Sequence, residues 1–251
     1  MTENRSLKWI EYIKVNGEVT RDRERIITEL ELPIIINGRH FVTAMITPML
    51  EKEFVVGYLF SQGIIDSIND IESLEIDNDT ATIILPLKEK HRQRSLKITS
   101  DFKVEKDDIF KGVDAILHSK IYEETGGVHS AGLFKRGAEP VCIAEDVGRH
   151  NALDKVIGYA LMKNIDFSTT FATSTGRMVS DMVSKICMAN IPIVATKTAV
   201  AQSGVEMGQS CGVTIIGFVR ERSMNINSGR LPVNKTPRSM RIYTNPERII
   251  V

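Results

Sequence analysis

The amino-acid sequence predicts an α/β protein with a mainly parallel sheet in its carboxyl-terminal part and a smaller, β-rich amino-terminal part. From residue 140 onward, three strand-like segments are each followed by a helix-like segment, and a fourth strand-like segment closes the series. Alternation of this kind implies right-handed crossovers between parallel strands. We therefore expect two domains, residues 1–105 and residues 106–251, of which the second ends in a polar tail.

Turn sequences and apolar spacing predict the elements of the amino-terminal part. Asn37-Gly38 tolerates the positive φ of a tight turn, which predicts a hairpin over residues 32–46, and a second hairpin is predicted over residues 71–85. Residues 51–60 have apolar side chains at helical spacing. The polar and mostly basic residues 88–103 have no clear period and are expected to form a linker or mobile loop.

The carboxyl-terminal part is predicted to begin with a helix that runs from Asp107 to the pair Gly126-Gly127, and a hairpin is expected to turn at Arg136-Gly137. The predicted strands are residues 130–135, 140–144, 169–173, 191–196 and 213–219. The predicted helices between the later strands are residues 151–163, 176–189 and 199–209.

The loops that leave the carboxyl ends of these strands are predicted to form a binding site, because such loops share one edge of an open parallel sheet. Two of them have small hydroxyl residues ahead of a helix, whose amino terminus attracts anions. Basic residues join them, so we expect a phosphate or pyrophosphate group here. The loop residues are Glu145, Asp146, Arg149, His150, Ser174, Thr175, Gly176, Arg177, Lys197, Thr198, Arg220 and Arg222. For any single loop, the alternative is ordinary helix capping with solvated charges.

The densest cluster of polar residues is the segment from Glu145 to Lys155. Asn151 is a candidate cap for the following helix. Capping does not explain two acids, an arginine and a histidine at one strand end, because each costs desolvation energy unless it is paired. We therefore expect this cluster to shape a site, with a purely structural role for His150 as the alternative.

The segment Thr125–Gly132 holds another candidate site residue, His129. The diglycine before it lets a backbone approach a ligand closely. Zinc-dependent nucleobase deaminases have an H-x-E element joined to a downstream P-C-x-x-C, but Ala131 stands two residues after His129 and no P-C-x-x-C occurs. Because a catalytic zinc needs three protein ligands, we expect no zinc site.

Composition argues against several classes of function. The 251 residues include 32 Lys+Arg and 32 Asp+Glu, and the resulting net charge of +0 argues against nucleic acid as the main partner. The 3 cysteines, Cys142, Cys187 and Cys211, do not form a secreted disulfide framework and are predicted to be small buried side chains. The polar amino terminus does not have the pattern of a signal peptide, and no apolar run approaches the ~20 residues of a membrane span. We therefore expect a soluble, cytoplasmic protein with no membrane partner.

The motifs of the chain, in their order, resemble those of the formate dehydrogenase accessory protein family, FdhD, whose members act as sulfur carriers. The likeness covers most of the chain from about Leu30 onward. The matching segments are Phe54–Gly63 (FVVGYLFSQG), Thr125–Leu133 (TGGVHSAGL), Glu145–Gly158 (EDVGRHNALDKVIG), Ser174–Lys185 (STGRMVSDMVSK) and Gly217–Asn225 (GFVRERSMN).

The resemblance implies a fold, a cargo and partners. It implies a cytidine-deaminase-like carboxyl-terminal domain that lacks zinc, a small β-rich amino-terminal domain, and a homodimer. It also implies that sulfur passes from a cysteine desulfurase to the molybdenum cofactor, bis-molybdopterin guanine dinucleotide, before the cofactor enters formate dehydrogenase. The family's cofactor-binding hexapeptide corresponds here to Phe218, Val219, Arg220, Glu221, Arg222 and Ser223.

With this cargo, the candidate residues fall into two groups, and a guanine nucleotide is the expected surrogate ligand. The residues expected to hold the cofactor, in addition to the hexapeptide, are Ser174, Thr175, Arg177 and Lys197. The residues expected to shape the site are His129, Glu145, Asp146, Arg149, His150 and Asn151. An RSM-x-I sequence occurs twice, at Arg222–Ile226 and at Arg238–Ile242, and the two copies are alternative counterparts of the family's terminal motif.

One family feature is missing. Sulfur-carrying members have a C-x-x-C pair in a loop before the long helix, whereas the corresponding residues 99–105 contain no cysteine. A persulfide requires a thiol that becomes a thiolate in an exposed, electropositive loop. The alternative function is therefore a cofactor-binding chaperone that does not transfer sulfur. A weaker alternative is a nucleotide hydrolase that uses the acids Glu145 and Asp146.

Overall fold

The structure is a computed structural model, which describes residues 5–86, 96–220 and 238–251. The strands in these ranges are β1 (Leu7–Val15), β2 (Val19–Ile27), β3 (Leu30–Ile36), β4 (Arg39–Ile46), β5 (Ser73–Asp77), β6 (Thr80–Ile84), β7 (Val104–Glu105), β8 (His129–Phe134), β9 (Pro140–Asp146), β10 (Phe171–Ser174), β11 (Ile193–Thr196), β12 (Thr214–Arg220), β13 (Ser239–Ile242) and β14 (Ile249–Ile250). The helices are α1 (Glu51–Ser61), α2 (Lys106–Ala115), α3 (Lys120–Thr125), α4 (Arg149–Met162), α5 (Ser180–Met188) and α6 (Gln202–Cys211). None of the described helices is long and apolar enough to cross a membrane.

A six-stranded sheet with the order β13-β12-β11-β10-β8-β9 forms the centre of the fold. The predicted α/β class is confirmed, but within the described residues of this sheet the parallel pairing is that of β10, β11 and β12. The strands β8 and β9 are antiparallel because the tight turn at Arg136-Gly137 joins them directly. The residues predicted to be a polar tail supply the antiparallel edge strand β13, and the short β14 pairs with β7.

Helices cover both faces of the central sheet. Apolar residues of α4, α5 and α6 pack on one face, against Ala131, Ala172 and Val194 of the strands. The residues between these along the strands face α2, where Phe134 and Phe171 stack with their ring centroids 5.4 Å apart. The alternation of strand residues between the two cores is the period of two expected of a sheet that is covered on both sides.

A second sheet, with the order β4-β3-β6-β5, lies behind α1. Both predicted hairpins are found, with the predicted turn conformation: Asn37 and Gly38 have φ of 49° and 76°. The predicted helix over residues 51–60 is α1. The apolar residues of this sheet and of α1 belong to the same core as α4 and α5. The division into two domains at residue 105 stays a prediction.

The helices α1 and α4 cross in direct backbone contact. A Cβ atom on Gly57 would lie 1.8 Å from the carbonyl oxygen of Asp154, and one on Gly158 would lie 1.8 Å from that of Glu53. Because no side chain fits at this crossing, α1 is held closely against the helix that follows β9. The carboxyl end of β4, immediately before α1, is thereby brought to the carboxyl end of β9.

Two predicted elements differ from the structure in their extent. The single helix predicted from Asp107 is divided into α2 and α3, because Ser119 caps a new helix and accepts a hydrogen bond from the Tyr122 backbone N–H. Of the predicted linker, residues 88–95 lie outside the described residues. The following residues are bound to the body, since Ile98 N donates to Cys211 O and Thr99 N donates to Asn190 Oδ1.

The pair β1 and β2 is a hairpin for which the sequence showed no pattern. Most of its side chains are exposed on both faces of the ribbon, so no alternation of apolar and polar residues predicts it.

Candidate functional site

The predicted convergence of loops is found at one edge of the central sheet. The parallel strands β10, β11 and β12 end there at Ser174, Thr196 and Arg220. The antiparallel strands contribute opposite ends to the same edge, because His129 at the start of β8 pairs with Asp146 at the end of β9. Five strands of the sheet therefore bring polar residues from distant parts of the sequence together.

The loops after β10 and β11 are locked by hydroxyl groups. Ser174 Oγ accepts a hydrogen bond from Gly176 N at 3.0 Å, and Thr196 Oγ1 donates to Gly176 O at 2.7 Å. Thr175 Oγ1 accepts from Ser130 N at 3.0 Å and lies 3.2 Å from His129 Nδ1. These bonds hold the loop in shape, and contact of Ser174 and Thr175 with the cofactor stays a prediction.

The predicted helix amino termini lie farther along the chain than expected. The helix α5 begins at Ser180 and α6 at Gln202, not at residues 176 and 199. The reason is a bridge between the two loops, in which Met178 N donates to Ala199 O and Ala201 N donates to Met178 O. Those backbone groups are used, so the anion-attracting character of this edge comes from its side chains.

Among the described residues, four cationic side chains belong to this edge. Arg177, Lys197 and Arg220 are exposed, and Arg149 is half-buried. The side chain of Arg149 lies on Gly176, and its buried Nε atom has no hydrogen-bond partner among the residues described. A buried polar atom without a partner costs free energy, which a bound acceptor would remove.

The electrostatic effect of these cations is visible at His129. Burial lowers the pKa of His129 below its ordinary value, and the charges of Arg149 and Arg177 lower it further, with a smaller contribution from His150. His129 is consequently a neutral imidazole at neutral pH. The site presents positive charge from its arginines and a hydrogen-bonding ring from its histidine.

A cavity of about 300 Å³ opens beside the cationic edge, on the side of α2 and α3. Lys197, Thr198 and His129 line it with polar groups, while Leu117 and Tyr122 line it with apolar surface. The diglycine Gly126-Gly127 forms part of the wall, as the sequence suggested, and Gly126 has the positive φ of 62° that ends α3. Leu117 and Tyr122 were not among the candidate residues, because the unbroken helix predicted there hides the turn that exposes them.

Asp146 is the centre of a buried network that joins β4, β9 and α4. Its carboxylate is fully buried, lies 2.7 Å from Lys155 Nζ, and accepts hydrogen bonds from Thr47 N and Gly148 N. Asn151 does not cap α4, whose N-cap is Gly148; its side-chain amide donates instead to Asp146 and to Met45 O. With its lone pairs occupied, Asp146 offers no general base for a hydrolase.

The neighbouring candidates have separate partners. Glu145 accepts a hydrogen bond from Ser119 Oγ and so joins β9 to α3. His150 Nε2 lies 2.8 Å from Asp181 Oδ2 of α5. Burial acts to raise the pKa of Asp181, but His150 and the other groups around it outweigh burial and lower it.

The hexapeptide predicted from the resemblance is described in its first half. Phe218 has φ of 51° at an irregularity in the pairing of β12 with β13, and Arg241 stacks over its ring at 4.5 Å. A left-handed conformation is strained for a bulky residue and is more frequent at functional sites. Val219 is buried against α2, whereas Arg220 is exposed at the edge. Glu221, Arg222 and Ser223 lie outside the described residues.

The thiols are not at this edge. Cys187 and Cys211 are buried near the carboxyl ends of α5 and α6, at the opposite end of the sheet, and Cys142 is half-buried within β9. Burial raises the pKa of the Cys142 thiol to about 12, and it raises that of Cys187 as well. In the described ranges, no group of three His, Cys, Asp or Glu side chains is placed to hold a metal ion.

Comparisons with known proteins agree on one family. A family model described as the FdhD/NarQ family matches residues 27–99 and 86–250. The chain is 31% identical to the sulfur carrier protein FdhD of Methanothermobacter thermautotrophicus, over 96% of this chain and 98% of that protein. It is 28% identical to the protein of the same name from Bacillus subtilis, over 93% of each. Its fold is similar to a crystal structure described as a formate dehydrogenase accessory protein from Desulfotalea psychrophila, with a TM-score of 0.81, 25% identity, and coverage of 97% of this chain and 99% of that one.

Proposed function

Because the chain belongs to the FdhD/NarQ family, we propose that it is a formate dehydrogenase accessory protein that acts in sulfur transfer. In this proposal, sulfur passes from a cysteine desulfurase to the molybdenum cofactor, bis-molybdopterin guanine dinucleotide, before that cofactor enters formate dehydrogenase. We propose further that the protein is cytoplasmic and works as a homodimer. Membership of a family indicates only the general role of a protein, so the ligand and the chemistry have to be argued from the residues of the site.

The observation that carries the proposal is the cationic sheet edge beside the cavity. Arg177, Lys197 and Arg220 are exposed there and suit the phosphates of a dinucleotide. Arg149 adds a guanidinium nitrogen that is buried and lacks a partner. The residues present therefore fit an anionic cargo with several phosphates, and Ser174 and Thr175 support it by fixing the loop.

The size of the cavity limits which part of the cargo it encloses. At about 300 Å³ it is at the lower end of the range of ~300–1,000 Å³ found for ligand pockets. One planar ring system fits such a space, against the apolar surface of Leu117 and Tyr122. We propose that a guanine or pterin ring occupies the cavity and that the phosphates extend from it along the edge, past Lys197.

Calorimetric titration with GDP, guanosine and pyrophosphate tests this division of the site. We expect GDP to bind more tightly than either fragment, because the cavity contacts the ring and the cationic edge contacts the phosphates. A structure with GDP is expected to show the base beside Tyr122. Failure of GDP to bind, or binding no tighter than that of pyrophosphate, contradicts the proposed cofactor site.

The position of the thiols favours a second candidate function, in which the chain holds the cofactor without carrying sulfur. A sulfur-carrying cysteine needs access and a thiolate, and burial disfavours both at Cys142 and Cys187. The names of the relatives favour the first candidate.

Intact-mass analysis after incubation with a cysteine desulfurase and cysteine distinguishes the two candidates. An adduct of about 32 Da, removed by reductant and lost when all cysteines are changed to Ala, is the signature of a persulfide and supports sulfur carriage. A native chain that gains no adduct, while the desulfurase itself carries persulfide, supports the chaperone candidate.

A further inference from the structure

The hairpin of β1 and β2 stands apart from the rest of the fold as a two-stranded ribbon. The residues that the structure describes add no third strand to its sheet, and most of its side chains are exposed on both faces. A lone hairpin is marginally stable in water at best. None of its residues lines the candidate cavity, so the proposed cofactor site gives it no role.

One face of the hairpin combines apolar and cationic side chains. In the antiparallel register, Trp9 is opposite Arg25 and Ile13 is opposite Arg21, and alternate residues share a face. This face, which we name the hairpin face, consists of Trp9, Ile13, Val15, Val19, Arg21, Arg23 and Arg25, with Glu11 among them. Its apolar members are strongly exposed: 55% for Trp9, 64% for Ile13 and 74% for Val15.

The arginines of the hairpin face are held in place by the only tryptophan of the chain. The guanidinium carbons of Arg23 and Arg25 lie 5.5 and 5.8 Å from the centre of the Trp9 ring. Stacking of this kind orders a guanidinium without using its N–H groups, which bind carboxylates. Tryptophan and arginine are also the residues that contribute most to binding energy at protein interfaces.

The base of the hairpin is attached to the wall of the candidate cavity. Arg25 forms an ion pair with Glu124 of α3, the helix whose Tyr122 lines the cavity. Ile27 lies against Gly127, with its Cγ2 3.2 Å from the point that a Cβ on that glycine would occupy. A macromolecule bound to the hairpin face therefore lies beside the cavity.

We propose that the hairpin face is a docking surface for a partner protein that presents acidic side chains around an apolar contact. Because Arg25 is paired with Glu124, Arg21 and Arg23 against Glu11 give the hairpin face its excess of positive charge, which an acidic surface complements. A second copy of this chain is disfavoured, because a twofold interface would bring the same cationic surface against itself. An anionic membrane is disfavoured because Asp22 and Glu24 offset Lys8 and Lys14 on the opposite face of the thin ribbon, so that face adds no attraction to anionic lipid.

In-cell photo-crosslinking of the full chain tests the proposal. A photoreactive residue replaces Ile13 on the hairpin face or, as the matched control, Lys14 on the opposite face. We expect the Ile13 position to capture a protein that is then identified by mass spectrometry and purified. Binding of that protein to the unmodified chain is measured through Trp9 fluorescence, which reports directly on the hairpin face.

Two charge reversals of equal size decide whether the contact is the one proposed. Arg21→Glu is expected to weaken binding about tenfold or more, because it places like charges together, and a Lys or Arg substitution in the partner's acidic surface is expected to restore it. Lys14→Glu changes the net charge equally and is expected to leave affinity within about threefold. Circular dichroism and GDP titration show that each variant is folded with its candidate site intact.

The proposal is overturned if the two reversals weaken binding equally, or if position 13 captures nothing or captures only this chain. It is also overturned if Arg21→Glu abolishes binding to vesicles of anionic phosphatidylglycerol while no protein is captured. Because GDP binding is measured separately, loss of the docking proposal and loss of the cofactor proposal are distinguishable.

Discussion

The side chain of Arg149 lies directly on Gly176. The Cβ and Cδ atoms of Arg149 are 2.8 Å from the point that a Cβ on Gly176 would occupy. Arg149, the first residue of α4, is thereby placed over the loop that follows β10, at the edge where residues from separate strands form the candidate site. Arg149 takes this position only because residue 176 is a glycine and has no side chain.

Gly176→Ala is therefore expected to displace Arg149 and to weaken GDP binding about tenfold, the loss of one charged hydrogen bond. A double-mutant cycle with Arg149→Ala measures whether the two residues act together. If Gly176→Ala acts through Arg149, it has little further effect in the Arg149→Ala background. Additive losses would show that the glycine acts on the ligand independently.

Arg177→Ala and Arg220→Ala are each expected to weaken GDP binding by about 1.5–3 kcal/mol, since each removes a charged hydrogen-bond donor. Arg39→Ala is the control, because Arg39 is exposed at the end of β4 farthest from the site. Calorimetry measures all three. Unchanged affinity in both site variants would place the phosphates elsewhere.

Lys155→Met is expected to destabilise the protein by about 3–5 kcal/mol, because it leaves the buried carboxylate of Asp146 without its cation. Lys163→Met, at an exposed position of the same chain segment, is expected to change stability by less than about 0.5 kcal/mol. Urea unfolding gives both values. GDP affinity of folded Lys155→Met is expected to equal that of the wild type, and a selective loss of affinity would instead place this ion pair in the binding site.

The stability of the protein is expected to fall more steeply with acid when His129 is present. Its pKa in the folded protein is below the ordinary 6.5, so the unfolded chain takes up this proton first as the pH falls. The contribution of His129 is therefore complete above about pH 6.5 and is lost as the pH decreases through its folded-state pKa. Urea unfolding of the wild type and of His129→Asn from pH 7.5 to 5.5 measures the difference. Equal slopes for the two proteins would contradict the lowered pKa.

Local turn chemistry made parts of the fold predictable. Asn37-Gly38 specifies a tight hairpin whatever surrounds it, and the alternation after residue 140 predicted four strands and three helices in the right order. The errors arose from contacts between distant residues. Because a backbone bridge joins Met178 to Val200, α5 and α6 begin later in the chain than predicted. Pairing with β12 makes part of the predicted polar tail the strand β13.

The sequence predicted the location of the candidate site better than it predicted the role of each residue there. Topology alone brings Ser174, Thr196 and Arg220 to one edge, so their convergence follows from strand order. Asp146 accepts a hydrogen bond from the backbone N–H of Thr47, which the crossing of α1 and α4 brings near. No sequence pattern indicates that contact. The same holds for Tyr122, which reaches the cavity only because the chain turns before α3.

The pairing of Arg220 with Ser239 has a consequence for how this protein can vary. The chain leaves the sheet and rejoins it at neighbouring points, so the intervening sequence begins and ends side by side at the candidate site. Loop-closure entropy rises only slowly with length, so the cost of holding two such neighbouring ends together depends little on the number of residues between them. A recognition sequence grafted between these two points would therefore begin and end next to the candidate site while the strands of the scaffold stay the same.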